Sequence, residues 1–577
     1  MVKIYEKLML TTLDKHAPYK KIKIHPFYKK GLSVDTKRIM KSRDDARLEF
    51  SKAQGMEREL LHIKYKRLRN KCVSRIRSET VKENKRRISN AKSPSEVWKI
   101  TNEIIRPQKK SRVSIKVNDE EITNDAEAAE RFNMFFLEKI RNLRARIDTS
   151  AQEDPIELLQ SSLTDRNLGF NLSTVSEASV RKIIKKMPNK RSKGRDDIGM
   201  DIIKAGSDAI IAPITFIINT SIRESTFPTP WKHARVIPLL KKGSPTEMIN
   251  YRPVSILPAT SKILKEVIRS QVSNYFEKNN LLPNHQHGFR PSCSTTTALL
   301  SLQNDLIKAN GEGKHTATTL WDLSAAFDTL DHDIFLKKLR VFGFGVSSVR
   351  WFRSYLANRI QHVEVNGSSS PTLQVPYGSP QGAVLSPLIF TIFVADLPLW
   401  TQHSSIFSYA DDTSSNISHK DLQEVKNMAE SDAEKILAYL NTNFLVANTD
   451  KTKLLLFRHG AIGSVCSPFN IRIGNSQVVE SESEKLLGLR LSNDLRWDQH
   501  VNELKSSINL RIANLRRVSY HIPHESLRTI AFGLVLSKIR YGIAVYGSVR
   551  KQVDDPLCKN MSILEVSIND TMRVING

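Results

Sequence analysis

The sequence contains few cysteines, and they do not cluster. The four lie far apart in a chain of 577 residues, at Cys72, Cys293, Cys466 and Cys558. There is no Cys-x-x-Cys or Cys/His cluster, which argues against a structural zinc site, and the spacing supports no disulfide framework. A reducing compartment is the simplest setting for such a chain.

Long apolar runs are also missing. No uninterrupted apolar stretch approaches the roughly 20 residues that a membrane-spanning helix needs. Residues 1–7 lack the apolar core of a signal peptide. We therefore expect no membrane partner and an intracellular protein, located in the nucleus and cytoplasm.

Negative charge is scarce relative to positive charge. The chain has 88 Lys and Arg against 60 Asp and Glu, a net charge of +28, and its pI is about 9.8. Residues 1–100 hold 28 basic and 11 acidic residues, which is +17 of that excess. Such a balance suits a polyanionic partner, and nucleic acid more than an anionic membrane. The length favours two to four domains.

The N-terminal third differs in pattern from the rest. Residues 36–106 have few Gly or Pro and predict a long basic helix, whose cations either contact phosphate or form a solvated face. Residues 107–170 change in composition and predict a linker with a short helix near 126–143. From about residue 175 the pattern turns to mixed helix and strand. It predicts an amphipathic helix at 176–187 with Ser176 as its cap, a strand at 234–240 and a helix near 260–279.

Two adjacent carboxylates form the most informative motif. Asp411 and Asp412 lie between an apolar and a polar run, which predicts a tight β-hairpin with both acids at its tip. An acidic pair alone is more often a solvated turn. A third acid, Asp322, ends an apolar stretch as a residue at a strand terminus does. Three such carboxylates can hold two divalent cations for phosphoryl transfer.

Further residues supply what nucleotidyl transfer needs. Phe327 could stack on a sugar and exclude a 2′-hydroxyl, although core packing is the usual role of an isolated Phe. Residues 378–382 (Gly-Ser-Pro-Gln-Gly) form a turn whose glycines admit close backbone approach, so that Gln381 could hydrogen-bond a nascent base pair. Lys241 and Arg252 precede these motifs and are candidates to clamp phosphate.

These motifs, in this order, resemble the reverse transcriptases of non-LTR (LINE-type) retrotransposons, of the jockey and chicken-repeat groups. The main matching stretches are 230–232 (Pro-Trp-Lys), 250–255 (Asn-Tyr-Arg-Pro-Val-Ser), 285–290 (His-Gln-His-Gly-Phe-Arg), 322–328 (Asp-Leu-Ser-Ala-Ala-Phe-Asp), 378–382 and 409–412 (Tyr-Ala-Asp-Asp). Shorter matches lie further along the chain, at Asn448, 451–452, 487–489 and 540–542.

The resemblance implies a fold and a division into segments. The fold is an α+β right-hand polymerase of fingers, palm and thumb, with a basic helical N-terminal extension. The expected segments are the extension at 1–110, a linker with a short helix at 111–174, fingers at 175–300, the palm with the catalytic core at 301–484, and the primer grip with part of the thumb at 485–577.

The resemblance also implies roles in catalysis and nucleotide binding. Asp322 and Asp411 would be direct metal ligands and Asp412 the supporting acid, with Mg²⁺ as cofactor and Mn²⁺ as a possible substitute. The implied nucleotide contacts are Phe327 as the sugar gate, Gln381 and Gly382 in the turn, Lys241 and Arg252 on the triphosphate, and Lys451 near the leaving pyrophosphate, where a surface helix-end role is equally open.

Four residues are implied to contact primer or template. Tyr409 would lie beside the primer terminus, and Leu487 with Gly488 would form the primer-gripping hairpin. Arg290 would contact template or phosphate, unless it caps a helix. The partners would be an RNA template, a DNA primer or target, and dNTPs.

Some features depart from the family pattern. Trp321, Ser379 and His287 replace the more usual residues, but none removes a reactive group. The endonuclease that usually precedes the polymerase is not recognisable in residues 1–150, and no zinc knuckle or ribonuclease H region follows residue 547. We therefore expect the chain to be part of a larger open reading frame.

The expected function is RNA-templated DNA synthesis, and two alternatives stay open. One is a catalytically silent nucleic-acid-binding remnant of a transposable element, against which the intact carboxylates argue. The other is an RNA-dependent RNA polymerase, which Phe327 and the Pro-Gln-Gly turn disfavour.

Overall fold

A computed structural model of the chain divides into two units. The larger unit comprises Met1–Tyr19 and Ser111–Arg496, and the smaller comprises Lys20–Lys110 and Trp497–Gly577. The residues that the structure describes are 1–18, 32–105, 114–117, 120–147, 154–190, 192–460, 468–547 and 559–576.

Helices dominate the chain. Short 3₁₀ helices occur at Thr229–Lys232, Met248–Asn250, Leu397–Leu399 and Ser519–His521, and a π-helical turn at Phe532–Leu536. The α-helices are α1 (Val2–His16), α2 (Val34–Lys52), α3 (Gly55–Ser89), α4 (Pro94–Ile105), α5 (Asp125–Ala145), α6 (Glu157–Leu163), α7 (Glu177–Lys186), α8 (Met200–Ala205), α9 (Ser207–Arg223), α10 (Ala259–Lys278), α11 (Thr295–Gly311), α12 (Ala326–Thr329), α13 (His332–Val341), α14 (Val346–Leu356), α15 (Ser386–Phe393), α16 (Leu422–Thr442), α17 (Asp498–Val518), α18 (His524–Ala531), α19 (Ser537–Arg540), α20 (Ile543–Tyr546) and α21 (Lys559–Asn576).

The described strands all belong to the larger unit. They are β1 (Ile115–Val117), β2 (Glu120–Ile122), β3 (His233–Leu240), β4 (Tyr251–Ile256), β5 (His315–Trp321), β6 (Arg359–Val365), β7 (Ser368–Ser369), β8 (Leu373–Val375), β9 (Ser405–Tyr409), β10 (Asp412–His419), β11 (Lys453–Phe457), β12 (Asn470–Ile473), β13 (Ser476–Val479), β14 (Ser483–Leu486) and β15 (Leu489–Ser492).

A four-stranded antiparallel sheet forms the centre of the larger unit. Its order is β11-β5-β10-β9, so β5 and β10 are the inner strands. Both carry mostly buried residues, and helices α11 and α16 pack on the sheet. The register pairs Trp321 with Thr413 and Tyr409 with Asp412, which brings the end of β5 and the β9–β10 turn to the same sheet edge.

A second sheet has the order β4-β3-β6-β7, with β8 also paired to β6. Strands β3 and β6 are parallel and the other pairs are antiparallel. Helix α5 packs on this sheet, where Phe132 and Phe136 are buried with Val236 and Val363. Residues 111–174 were expected to be a linker with a short helix near 126–143; α5 is that helix, and it is part of the core of this sheet. Its apolar face packs on β6, which lies much later in the chain.

The basic helices α2, α3 and α4 belong to the smaller unit, whereas α1 belongs to the larger unit. The single helix expected over residues 36–106 is broken into three, because Gly55 adopts φ +60° after α2 and Pro94 begins α4. Ile88 and Ile100 are buried in one cluster with C-terminal residues that include Leu515 and Ile530. Helices α3 and α4 of the expected N-terminal extension therefore share a core with the C-terminal helices, while Val2 and Tyr5 of α1 are buried in the core of the larger unit.

Several local predictions are confirmed. Helix α7 is capped by Ser176, whose side chain accepts a hydrogen bond from the Ser179 backbone N–H. The strand expected at 234–240 is β3, and the helix expected near 260–279 is α10. Within the described ranges, no helix is both long and apolar enough to cross a membrane.

Candidate active site

The two adjacent acids lie at the tip of a two-residue β-hairpin, as the sequence predicted. Tyr409 and Asp412 form the last pair of β9 and β10, leaving Ala410 and Asp411 as the turn. Ala410 has φ +61°, a left-handed conformation that a hairpin turn of this length requires. Asp411 and Asp412 are both exposed, so the hairpin presents its carboxylates to solvent.

The third acid lies immediately beyond the neighbouring strand. Because Trp321 pairs with Thr413, the next residues outward, Asp322 and Asp412, leave adjacent strands at the same edge. The Asp322 backbone carbonyl accepts a hydrogen bond from the Asn448 N–H at 2.8 Å. The predicted position of Asp322 at a strand end is confirmed.

The three acids lie within electrostatic range of one another. The pKa of Asp412 is raised although the residue is exposed, first because nearby protein removes part of the water around its carboxyl group and then by the negative charges of Asp411 and Asp322. The Lys241 ammonium acts in the opposite direction. The Lys451 Nζ lies 3.9 Å from Asp322 Oδ2. The sheet edge thus gathers five of the residues singled out in the sequence, three acids and two lysines.

The donor set fits Mg²⁺. Carboxylate oxygens are the ligands this ion prefers, and a cation would relieve the repulsion that raises the Asp412 pKa. Among the described residues, no three His, Cys, Asp or Glu side chains already surround a common point. Since Mg²⁺ sites commonly combine one or two carboxylates with water and substrate phosphates, an open group of acids suits such an ion.

The glycine-rich turn at 378–382 packs on the segment that follows Asp322. The Gly378 N–H donates to the Leu330 carbonyl and the Ser379 N–H to the Phe327 carbonyl, both at 2.9 Å. Gly378 has φ +74°, and a Cβ there would lie 2.4 Å from the Asp328 carbonyl oxygen. Only glycine fits this contact without displacing the backbone.

Three nucleotide contacts were expected at or near this turn, and two of them, Phe327 and Gln381, contact other groups of the protein. The Phe327 ring centroid lies 4.7 Å from that of Phe390, and Phe327 is half-buried. Its role as a sugar gate stays a prediction beside the core-packing alternative. Gln381 is held at both ends, because its carbonyl accepts from the Ser255 N–H at 2.9 Å and its Nε2 donates to Asp328 Oδ2 at 2.6 Å. Gly382 is exposed, with φ +95°.

Lys241 and Arg252 lie on one hairpin of the second sheet. Arg252 is exposed on β4 opposite Leu239, and the Lys241 N–H donates to the Asn250 carbonyl at 2.8 Å just beyond β3. The influence of Lys241 on the Asp412 pKa supports a position near the acids. Contact of either side chain with triphosphate stays a prediction.

The candidate primer grip is a hairpin. Leu487 and Gly488 connect β14 and β15 with φ +47° and +87°, which defines a two-residue turn. Tyr409 is half-buried, and its ring centroid lies 6.5 Å from that of Phe289. Contact of these residues with primer stays a prediction.

Arg290 is engaged within the protein. Its Nε and NH2 donate to both carboxylate oxygens of Glu277, at 2.9 and 2.8 Å. Its NH1 also donates to the carbonyls of Pro283 and Gln286. These bonds join α10 to the segment between α10 and α11, and contact of Arg290 with template stays a prediction.

Sequence reasoning missed the support behind the acidic hairpin. The His287 N–H donates to the Ser408 carbonyl at 2.9 Å, and the Ser408 N–H donates to the His285 carbonyl at 3.0 Å. A Cβ on Gly288 would lie 2.3 Å from the Ala410 nitrogen. The glycine was visible in the matched stretch 285–290, but nothing local in the sequence identified the backbone it touches. The role of Asp328, the partner of Gln381, was missed for the same reason.

Two of the three departures from the family pattern, Trp321 and Ser379, are accommodated by packing. Trp321 is buried, and its Nε1 donates to Ser415 Oγ across the sheet at 3.0 Å. Ser379 is buried and hydrogen-bonded to Ser386. Both substitutions are therefore compatible with an intact site.

Comparisons with known proteins match the segment that carries these residues. The protein family described as "Reverse transcriptase (RNA-dependent DNA polymerase)" matches residues 239–491, which include all three acids. The chain is 26% identical over 491 residues to "Probable RNA-directed DNA polymerase from transposon BS" of Drosophila melanogaster, covering 83% of this chain and 52% of that protein.

Two further relatives from Drosophila melanogaster are similar at the same level. "RNA-directed DNA polymerase from mobile element jockey" is 24% identical over 71% of this chain and 45% of its own length. "Probable RNA-directed DNA polymerase from transposon X-element" is 24% identical over 77% of this chain and 49% of its own length. The chain spans about half the length of these relatives. Residues 239–491 are thus similar to reverse transcriptases (RNA-dependent DNA polymerases), and the relatives named above are proteins of transposons and mobile elements.

Proposed function

We propose that this chain copies an RNA template into DNA by adding dNTPs to a primer 3′-hydroxyl. The observation that carries the proposal is the grouping of Asp322, Asp411 and Asp412 at one sheet edge, inside the matched domain. Asp322 and Asp411 would hold Mg²⁺, or Mn²⁺ in its place, and Asp412 would support them. When bound, the cations make the primer hydroxyl more acidic and neutralise charge on the leaving pyrophosphate.

The protein's own cations would hold the triphosphate. Lys241 and Arg252 project from one exposed hairpin, where an ammonium and a planar guanidinium offer complementary ways of binding phosphate oxygens. Lys451 would exchange its pairing with Asp322 for a phosphate oxygen once cations occupy the acids. This exchange keeps the local charge balanced before and after substrate binds.

The surrounding elements would select the sugar and align the primer. Phe327 would close the space that a 2′-hydroxyl needs, and Gln381 would contact the nucleotide from the 378–382 turn. Tyr409 and the turn of Leu487 and Gly488 would hold the primer end. In this assignment the central sheet is the palm, the β3–β4 hairpin belongs to the fingers, and the β14–β15 hairpin is the primer grip.

The smaller unit would bind the template. Its helix α3 carries exposed cations along its length, among them Arg67, Lys71 and Arg75, which lie one turn apart on the same face. A row of cations at this spacing suits contact with successive phosphates of a nucleic acid.

Primer extension by the purified full chain tests the proposal. An RNA template with a DNA primer, Mg²⁺ and dNTPs is expected to give extended DNA, and NTPs are expected to be poor substrates. Extension with NTPs alone would indicate an RNA polymerase. Binding of primer–template without extension under any of these conditions would indicate a silent binding protein.

A further inference from the structure

Asp328 and Gln381 form a hydrogen-bonded pair between two motifs. Asp328 lies in α12, six residues after Asp322, and Gln381 lies in the glycine-rich turn. The Gln381 Nε2 donates to Asp328 Oδ2 at 2.6 Å. The pair also borders a cavity of about 40 Å³ lined by Ser255 and Arg359.

The pairing is unusual for a carboxylate. Asp328 is partly buried, and burial raises its pKa to about 6, an effect that the Gln381 hydrogen bond and the more distant Lys139 charge oppose. Within the described parts of the chain, no Lys or Arg pairs with it, and Gln381 is its only side-chain hydrogen-bond donor. Partial burial of an acid against one neutral amide costs stability, so core packing alone gives no reason for an acid at this position.

The pairing determines the orientation of the Gln381 amide. A carboxylate accepts hydrogen bonds and cannot donate them, so it selects the rotamer with Nε2 towards Asp328. No described residue donates a hydrogen bond to the Gln381 Oε1, which is left as a free acceptor. The Gln381 backbone is fixed by Ser255, so the side-chain amide is the part of this residue whose orientation remains to be set.

We propose that Asp328 is a positioning residue for nucleotide binding, whose carboxylate turns the Gln381 amide so that its oxygen accepts from a donor on the incoming nucleotide. The inference rests on the proposed function, because the contact between Gln381 and nucleotide is part of it. Asp328 itself touches neither substrate nor metal. Its effect is transmitted through one hydrogen bond.

An exchange of donor and acceptor tests the pair with variants of nearly unchanged size. Gln381→Glu sets two carboxylates against each other. Adding Asp328→Asn to that variant reverses the bond, since the new amide donates to the new carboxylate and leaves an oxygen facing the nucleotide. Single-nucleotide incorporation by the full chain gives KM for dNTP and kcat separately, and melting curves establish that each variant is folded.

The expected pattern is a change in KM with little change in kcat. Gln381→Glu should raise KM for dNTP by about tenfold or more, because the new carboxylate faces the Asp328 carboxylate without a hydrogen-bond donor between them. Asp328→Asn alone should change KM by no more than about threefold, because its oxygen can still accept, and the double variant should recover to about the same value. Changes in kcat should stay below about threefold throughout.

Two outcomes would overturn the inference, and they differ from failure of the proposed function. Effects that add in the double variant would mean that the two residues act independently. If the variants lower kcat, raise KM and lower the melting temperature together, Asp328 has only a structural role. Either result, with the unaltered chain active, removes the inference alone. An inactive unaltered chain would remove the proposed function and the inference with it.

Discussion

Two aspartates of one seven-residue segment occupy contrasting environments. Asp322 has a side chain that is 44% exposed, and its carboxylate lies 3.9 Å from a lysine ammonium. Asp328 is partly buried, bonds a neutral amide and has a pKa raised to about 6. The same functional group is therefore suited to two tasks. The open acid can take up ions from solution, whereas the enclosed acid fixes the geometry of its neighbour.

If the open acids are the catalytic ones, replacing one of them should have the largest effect. Asp411→Asn should lower nucleotide incorporation by at least about a thousandfold, because a lost metal ligand costs several kcal/mol and each ~1.4 kcal/mol is about tenfold in rate. Asp322→Asn should lower nucleotide incorporation by a similar factor. Single-turnover kinetics measure the loss, with primer–template affinity as the control. A large disparity between the two variants would mean that the acids do not share a site.

Disturbing the contact that supports the acidic hairpin should cause the next largest loss of activity. Gly288→Ala places a Cβ 2.3 Å from the Ala410 nitrogen and must displace the turn that carries Asp411. Backbone strain of about 1–3 kcal/mol predicts a loss of activity of roughly tenfold to a hundredfold. Gly311→Ala is the matched control, since a Cβ there meets no atom within 4 Å. Equal activity of the two variants would argue against the support role.

Sugar selection should respond to Phe327. If its ring closes the space for a 2′-hydroxyl, Phe327→Val should lower the preference for dATP over ATP by about tenfold, equivalent to ~1.4 kcal/mol of discrimination. The core-packing alternative predicts equal losses on both substrates and a lower melting temperature. Parallel kinetics with the two nucleotides and a melting curve distinguish these roles. An unchanged preference in a stably folded variant would refute the gate.

The smallest effect on chemistry is expected in the smaller unit. Replacing Arg67, Lys71 and Arg75 by Gln should reduce the slope of log binding constant against log salt concentration for RNA by about 2 to 3. Each phosphate contact contributes about 0.7 to 0.9 to that slope. First-nucleotide addition on saturating primer–template should survive. Deleting the N-terminal helices would be a poorer test, because Ile88 and Ile100 belong to the core of this unit.

The control for that measurement removes the same charge elsewhere. Lys182, Lys185 and Lys186 are exposed on α7 of the larger unit, and their replacement by Gln leaves α3 intact. An identical change of slope in both triple variants would mean that total charge, and not the α3 face, governs binding.

What the sequence predicted well is local in origin. The hairpin tip at Asp411 and the strand end at Asp322 follow from alternation of apolar and polar residues over a few positions. The cap at Ser176 follows from a short-range hydrogen bond. The break near Gly55 could have been found from the glycine inside a helical pattern.

What the sequence did not predict depends on long-range contacts. Burial of α5 depends on strands far along the chain, and the Asp328–Gln381 bond joins residues 53 positions apart. The contact of Gly288 with the Ala410 backbone likewise joins separate motifs. Residue type and periodicity do not encode which distant segment will be the neighbour, so these contacts are visible only in the folded structure.

Asp322 and Asp411 are proposed to ligate the catalytic cations, and a change of metal preference tests this ligation most directly. Asp411→Cys and Asp322→Cys would each replace a hard oxygen ligand by a softer sulfur. Primer extension by both variants and the unaltered chain should be measured with Mg²⁺, Mn²⁺ and Cd²⁺. We predict near-complete loss with Mg²⁺ and recovery of at least about tenfold with a softer ion, whereas the unaltered chain prefers Mg²⁺. Undiminished extension by either Cys variant with Mg²⁺ would contradict metal ligation at that position.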